Sequence, residues 1–264
     1  MHRSPRPIAL LPRRTSKLLR IDAFQSFTPE HPPEHLATIL ARNRFDGSIA
    51  VGQDAADPRE LLLLTREHAY VKAAIPWVDL DDPKLPLLLD ELAQFPKFRG
   101  VFCRLGETIL GGLSELARRG LTLDLVVRPG RLALAGEIAA GVAGLRMAIV
   151  HLGSPDIASG DFGGWAREMA SLASFPQVFC KASDLIRLAP APWKGSELRP
   201  YVQHVLAAFS PSRVMFGSGW PAGLPEHIWK ETLAAFTQAI GAQTMEVREE
   251  LLGGVARRFY EGSG

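Results

Sequence analysis

A single closed (β/α)8 barrel is the fold class that this sequence predicts. Three observations carry the expectation: eight short apolar runs of β character, a helical pattern after each, and no linker-like stretch to divide the chain. The 264 residues suit one such barrel, which takes roughly 250. The runs are rich in Val, Ile, Leu and Phe and nearly continuous, as parallel strands covered on both faces should be.

Strands are expected over residues 18–24, 46–52, 71–78, 100–105, 121–127, 146–152, 177–183 and 213–218. The helix after the first, PPEHLATILARN, opens with prolines suited to a first turn. The next, DPRELLLLTREHA, has Asp57 as a capping residue with Pro58 behind it. PLLLDELAQF, ILGGLSELARRG, GRLALAGEIAAGVAG, FGGWAREMASLASF and SELRPYVQHVLAAF follow, and Gly120 and Gly144 stand where C-terminal caps belong. Two helices, PEHIWKETLAAFTQAIG and MEVREELLGGVARRFY, end the chain. The barrel is expected to occupy residues 18–264, after a basic N-terminal arm over 1–17 whose apolar piece IALL is too short for a signal-peptide core. An open doubly wound sheet is the rival architecture. It would carry a glycine-rich phosphate loop after the first strand, and DAFQSFTPEHPPE is not one.

Charged residues are 22% of the chain and hydrophobic ones 47%, which sets it among globular rather than disordered sequences. The net charge of +2 is spread along the chain, and aromatics do not interleave with basic clusters, so no nucleic-acid surface is expected. No run approaches the ~20 apolar residues of a membrane span. Cys103 and Cys180 are too few for a disulfide framework or a cysteine-rich zinc site, which points to the reducing cytoplasm.

Four segments carry a resemblance: IDAFQSF (21–27), MAIVHLGSP (147–155), VFCKASDL (178–185) and SPSRVMFGSGWP (210–221), joined by the tail LLGGVARRFY. In this order they resemble the amidohydrolase-related barrels that include sugar lactonases and the pyrone-dicarboxylate lactonase. The resemblance implies a hydrolase of lactones or related small carboxylated compounds. It also implies a first strand ending in His-x-His and an aspartate on the last strand, which hold a divalent metal or activate water. Here those positions are Phe24, Ser26 and Gly219, and only the sixth-strand histidine survives, as His151. One histidine falls short of the about three protein ligands that a catalytic zinc needs. No cofactor is therefore expected, with zinc or manganese as the runner-up.

Side chains two apart share a strand face, and barrel active sites lie at the carboxyl ends of the strands. Asp22, Phe24 and Ser26 are then expected to face the interior, as are Phe102 and Arg104, Asp124, and Lys181 and Ser183. Cys103 and Cys180 should pack outward. The expected catalytic residue is His151, with Phe24, Ser26, Arg104, Lys181, Ser183, Asp184 and Trp220 binding substrate. The two cations suit a small anionic ligand, or they neutralise Asp124 or Asp22 inside the barrel. Phe24 either walls a pocket or plugs the core. The other histidines, His2, His31, His35, His68, His204 and His227, lack ligand spacing and read as surface or packing residues. Two functions fit: a lactone hydrolase without a tightly bound metal, or a catalytically inactive barrel acting as a small-molecule binder or as a regulatory or structural subunit. Pairing of copies through outer helices is compatible with both.

Overall fold

A computed structural model of the chain describes residues 19–52, 56–106, 111–128, 130–221 and 227–261. The basic arm expected over 1–17 lies outside the described residues. The strands are β1 (Ile21–Gln25), β2 (Gly47–Val51), β3 (Val71–Ile75), β4 (Gly100–Arg104), β5 (Thr122–Val126), β6 (Met147–Ile149), β7 (Val178–Ser183) and β8 (Val214–Gly217). They pair in parallel, in the orders β1-β2-β3 and β4-β5-β6-β7-β8.

Backbone bonds close both seams between these sheets. The Ala74 N–H donates to Lys97 O at 2.8 Å and the Phe102 N–H to Pro76 O at 2.8 Å, joining β3 to β4. The Gly219 N–H donates to Phe24 O at 2.9 Å and the Ser26 N–H to Trp220 O at 2.8 Å, joining β8 to β1. A ring of parallel strands without a free edge results, which is the (β/α)8 barrel.

The helices are α1 (Pro33–Arg42), α2 (Pro58–Arg66), α3 (Leu85–Leu92), α4 (Leu113–Arg118), α5 (Leu132–Gly141), α6 (Phe162–Ala173), α7 (Leu185–Leu188), α8 (Gly195–Phe209), α9 (His227–Ile240), α10 (Met245–Glu249) and α11 (Val255–Glu261). Asp57 caps α2 by accepting the Arg59 N–H at 2.9 Å. Gly120 follows the C-cap of α4 at φ 67°, where a Cβ would be strained, whereas α5 is capped at Val142 and Gly144, at φ 79°, turns the chain two residues later. The single turn of α7 was not anticipated, because four residues are too few to show a period.

Two apolar layers hold the barrel. The outer one lies between strands and helices and includes Cys103 and Cys180, both buried. The inner one gathers Ile21, Ala23, Phe24, Ile49, Val51, Phe102, Val150 and Met215 with Val255 and Phe259 of α11. The segment leading into α11 packs tightly on the chain just before β1: a Cβ on Gly253 would lie 2.0 Å from Leu19 O, so only glycine fits. Arg146, just before β6, donates to Phe259 O at 3.0 Å. The final helix thus closes the amino-terminal end of the barrel.

One facing expectation is corrected. The β1–β2 register shifts between Asp22 and Gln25, so strict alternation fails there and Phe24 follows Ala23 into the interior. Asp22 instead accepts the Trp229 indole N–H of α9 at 2.9 Å and the Ser218 N–H at 2.8 Å. Burial raises its carboxyl above the usual range, and these bonds work against that shift. Its role is to tie β8 and α9 to β1.

Candidate active site at the carboxyl end of the barrel

Phe24 fills the centre of the barrel below its carboxyl-terminal mouth and is 1% exposed. Gly217 on β8 makes the room: a Cβ there would lie 2.6 Å from the Phe24 Cβ and 2.9 Å from the Ser183 Cβ. The Phe24 ring sits 4.7 Å from the His151 ring, edge to face, and 6.2 Å from Phe102. Beneath it, the Lys181 ammonium lies 5.2 Å from the ring centroid.

That layer of phenyl rings corrects the expectation for Lys181. Its Nζ donates to Asp124 Oδ2 at 2.5 Å and to Ala23 O at 2.6 Å, and both side chains are fully buried. The Tyr260 hydroxyl of α11 donates to Asp124 at 2.7 Å. Burial lowers the Lys181 pKa, and the Asp124 charge works against that shift. Burial, with Asp124 beside it, holds the Tyr260 phenol well above its ordinary value. Lys181 therefore neutralises a buried carboxylate in the interior and does not reach the mouth.

His151 follows β6 on a left-handed turn. His151, Leu152, Gly153 and Ser154 have φ of 55°, 54°, 70° and 51°. Left-handed backbone costs roughly 1–2 kcal/mol at each non-glycine residue, so something must hold this turn. The Trp165 indole N–H donates to Leu152 O at 2.8 Å, and the His151 N–H donates to Ser183 Oγ at 3.2 Å. A Cβ on Gly153 would come within 2.8 Å of Leu132 and Met169, so the turn packs directly on α5 and α6. Strain of this kind concentrates at functional sites.

Ser183 Oγ also lies 3.0 Å from His151 Nδ1. Already accepting the His151 amide, the hydroxyl has its own proton to donate to Nδ1. That arrangement leaves the ring proton on Nε2; in the other tautomer Nδ1–H would donate to the second lone pair of the same hydroxyl. Burial lowers the imidazole to about 3; a hydrogen bond with the Ser183 backbone opposes that shift, and the positive charges of Arg187, Lys181 and Arg104 add to it. His151 is therefore a neutral N–H donor at ordinary pH. Ser183, expected to bind substrate, is itself buried and holds the histidine through these two contacts.

Asp184 stands next along the chain, also left-handed at φ 57°. Its side chain is 14% exposed, and Arg187 Nη1 is 3.4 Å from Oδ2. Burial pushes the carboxyl up to about 7, against the pull of Arg187. Asp184 packs on Gly219 (φ 78°): a Cβ at 219 would lie 2.8 Å from Asp184 Oδ1 and 3.0 Å from its Cα and Cβ.

The remaining candidates ring the same end. Arg104 closes β4, exposed, with its guanidinium 5.5 Å over the Phe102 ring. Ser26 borders a cavity of about 600 Å³ with Gly52, Pro76, Trp77 and Leu61. Trp220, 3% exposed, meets His31 edge to face at 5.5 Å. It lines a second cavity of about 390 Å³ with His35 and Arg42. Trp77, His31 and Arg187 went unnoticed in the sequence as neighbours of the site. The rule that sites lie beyond strand ends could have flagged Trp77, two residues after β3. His31 and Arg187 are brought in by loop and helix geometry that one chain does not display.

Among the described residues, no three of His, Cys, Asp and Glu gather as a metal would need. At the positions where the resemblance expects donors stand a phenyl ring, a hydroxyl and a glycine, which do not suit a divalent cation.

A family model described as Amidohydrolase matches residues 43–262. The chain is 31% identical over 201 residues to an L-fucono-1,5-lactonase of Burkholderia ambifaria, covering 72% of this chain and 69% of that one. Among solved structures it superposes on an amidohydrolase from Burkholderia multivorans with bound HEPES, with a TM-score of 0.82 and 24% identity, over 92% of this chain and 99% of that one. It also superposes on a proposed 2-pyrone-4,6-dicarboxylic acid hydrolase from Pseudomonas putida, with a TM-score of 0.77 and 19% identity, over 92% and 98%. These superpositions establish the fold.

Proposed function

This chain belongs to the amidohydrolase family, and from that premise we propose that it hydrolyses a lactone or a related small carboxylated compound without a tightly bound metal. The observation that carries this reading is His151 at the end of β6, kept neutral by burial, with Ser183 Oγ 3.0 Å from its Nδ1; the reading places its proton at Nε2. A neutral imidazole N–H can polarise the ester carbonyl and stabilise the oxyanion that forms when water adds. The work is the one a metal would otherwise do, performed here by a hydrogen bond. Arg104 at the mouth suits a substrate carboxylate. Similarity to the L-fucono-1,5-lactonase favours a ring ester as the reacting group.

A panel of sugar and dicarboxylate lactones, offered to the protein with chelator and with added zinc or manganese, tests the proposal. Ring opening should survive chelation and drop at least 100-fold in His151→Ala. Turnover that appears only with metal overturns the metal-free part.

The burial of Phe24 and the glycine at 219 favour a second reading, a barrel that binds a small acid without converting it. Saturable binding of a lactone by calorimetry, with no opening under any condition, selects that reading over hydrolysis.

A further inference from the structure

We infer that Asp184 is the general base of this site, its carboxylate standing in the space that a side chain at Gly219 would occupy. The inference rests on the hydrolase reading above and adds the group that activates water.

Three observations converge on it. First, both positions are left-handed, and both favour glycine on backbone grounds. The chain puts glycine at 219 and tolerates an aspartate at 184. Second, the two are in contact: a Cβ on Gly219 would meet Oδ1, Cβ and Cα of Asp184 at 2.8–3.0 Å. The Asp184 side chain fills part of the space into which a side chain at 219 would extend. Third, the carboxylate does little structural work. Among the described partners, Arg187 at 3.4 Å is its ion pair, and that arginine is itself half exposed. A carboxyl held at a strained position, mostly buried, with no cap bond made by its side chain, is suited to a partner that arrives from solution.

Ser183, the preceding residue, fixes His151, so the two groups share one strand end. The reaction then balances with water alone. The Asp184 carboxylate takes a proton from water as the water oxygen bonds to the carbonyl carbon, while His151 Nε2–H holds the carbonyl oxygen. The ring C–O bond breaks as the tetrahedral species collapses, and Asp184 returns its proton to the departing alkoxide. The product is the open-chain hydroxy acid. The raised carboxyl, at about 7, puts the base in its active form from neutral pH upward.

Kinetics of wild type, D184N and the exchange variant D184G/G219D on whichever lactone the wild type opens test the inference. D184N should melt no lower than wild type at neutral pH, lose at least 100-fold in kcat with KM within a few-fold, and lose the rise of kcat/KM around pH 7. D184G/G219D should recover at least tenfold over D184N, because the carboxylate re-enters the same space from β8. If D184N retains turnover within threefold and the same pH limb, Asp184 is not the base, although the hydrolase reading stands. If wild type opens no lactone, both fall together.

Discussion

The Phe24 ring meets the His151 imidazole edge to face, with ring centroids 4.7 Å apart. This contact places an apolar wall where the related barrels are expected to carry a second donor. It leaves His151 as a single, neutral, directed N–H. It also seals the ionic layer of Lys181, Asp124 and Tyr260 from the mouth. The ring separates the two regions sterically, while the Lys181 charge still acts on the His151 imidazole across it.

Truncating Phe24 tests the seal. Phe24→Ala removes a ring that is 1% exposed, and buried Phe→Ala changes typically cost about 3–5 kcal/mol. Chemical denaturation should show a loss in that range. A loss below about 1 kcal/mol contradicts the plug.

Removing Lys181 alone strands a buried carboxylate. Lys181→Met should destabilise the fold by about 3–5 kcal/mol. Lys181→Met with Asp124→Leu should recover a large part of that loss, because both charges go together. Denaturation of the single and double variants decides. A double variant as unstable as the sum of its parts argues against the buried pair.

Arg104 is exposed at the mouth, so its loss should be nearly silent in stability, within about 0.5 kcal/mol. Its effect belongs in recognition. Arg104→Ala should raise KM for a lactone bearing a carboxylate about tenfold or more, which corresponds to about 1.4 kcal/mol, and leave KM for a neutral lactone unchanged. Equal changes for both substrates place the cation outside the binding site.

The two titrating groups of the site act on stability with opposite signs. His151 is neutral in the folded chain down to about 3, against an ordinary value of 6.5. Between these values the unfolded chain binds the extra proton, so this contribution is lost as pH falls from 6.5 toward 3. Asp184 is protonated in the folded chain up to about 7, against an ordinary 3.8. There the folded chain holds the extra proton, so this contribution is lost as pH rises from 4 toward 7. Relative to wild type, Asp184→Gly should gain stability as pH rises through that window. His151→Ala should gain as pH falls. Each slope is at most about 1.4 kcal/mol per pH unit. Melting curves from pH 4 to 8 read both, and parallel curves for all three proteins remove the assigned shifts.

The fold was legible because it rests on local patterns. Eight apolar runs, the Asp57 cap and the Gly120 terminus all depend on neighbours within a few residues. Segments near 21, 147, 178 and 210 identified the family because each is an uninterrupted strand-end motif. The inward and outward sides of β4 and β7 followed from period two. Where that period breaks, so did the reading: the shift after Asp22 sends this residue to Trp229 rather than into the barrel.

The sequence by itself determined the barrel, the family and the absence of the usual donors at Phe24, Ser26 and Gly219, since each is a matter of which residue stands where. Only the tertiary structure decided what the remaining residues do. Lys181 was expected at the mouth and belongs to the interior, because Tyr260, Asp124 and Ala23 reach it from distant parts of the chain. Asp184 and Gly219 stand 35 positions apart in sequence, and their contact is visible only once β7 and β8 lie side by side. Residue identity is local, whereas charge partners and excluded volume are set by which strands become neighbours.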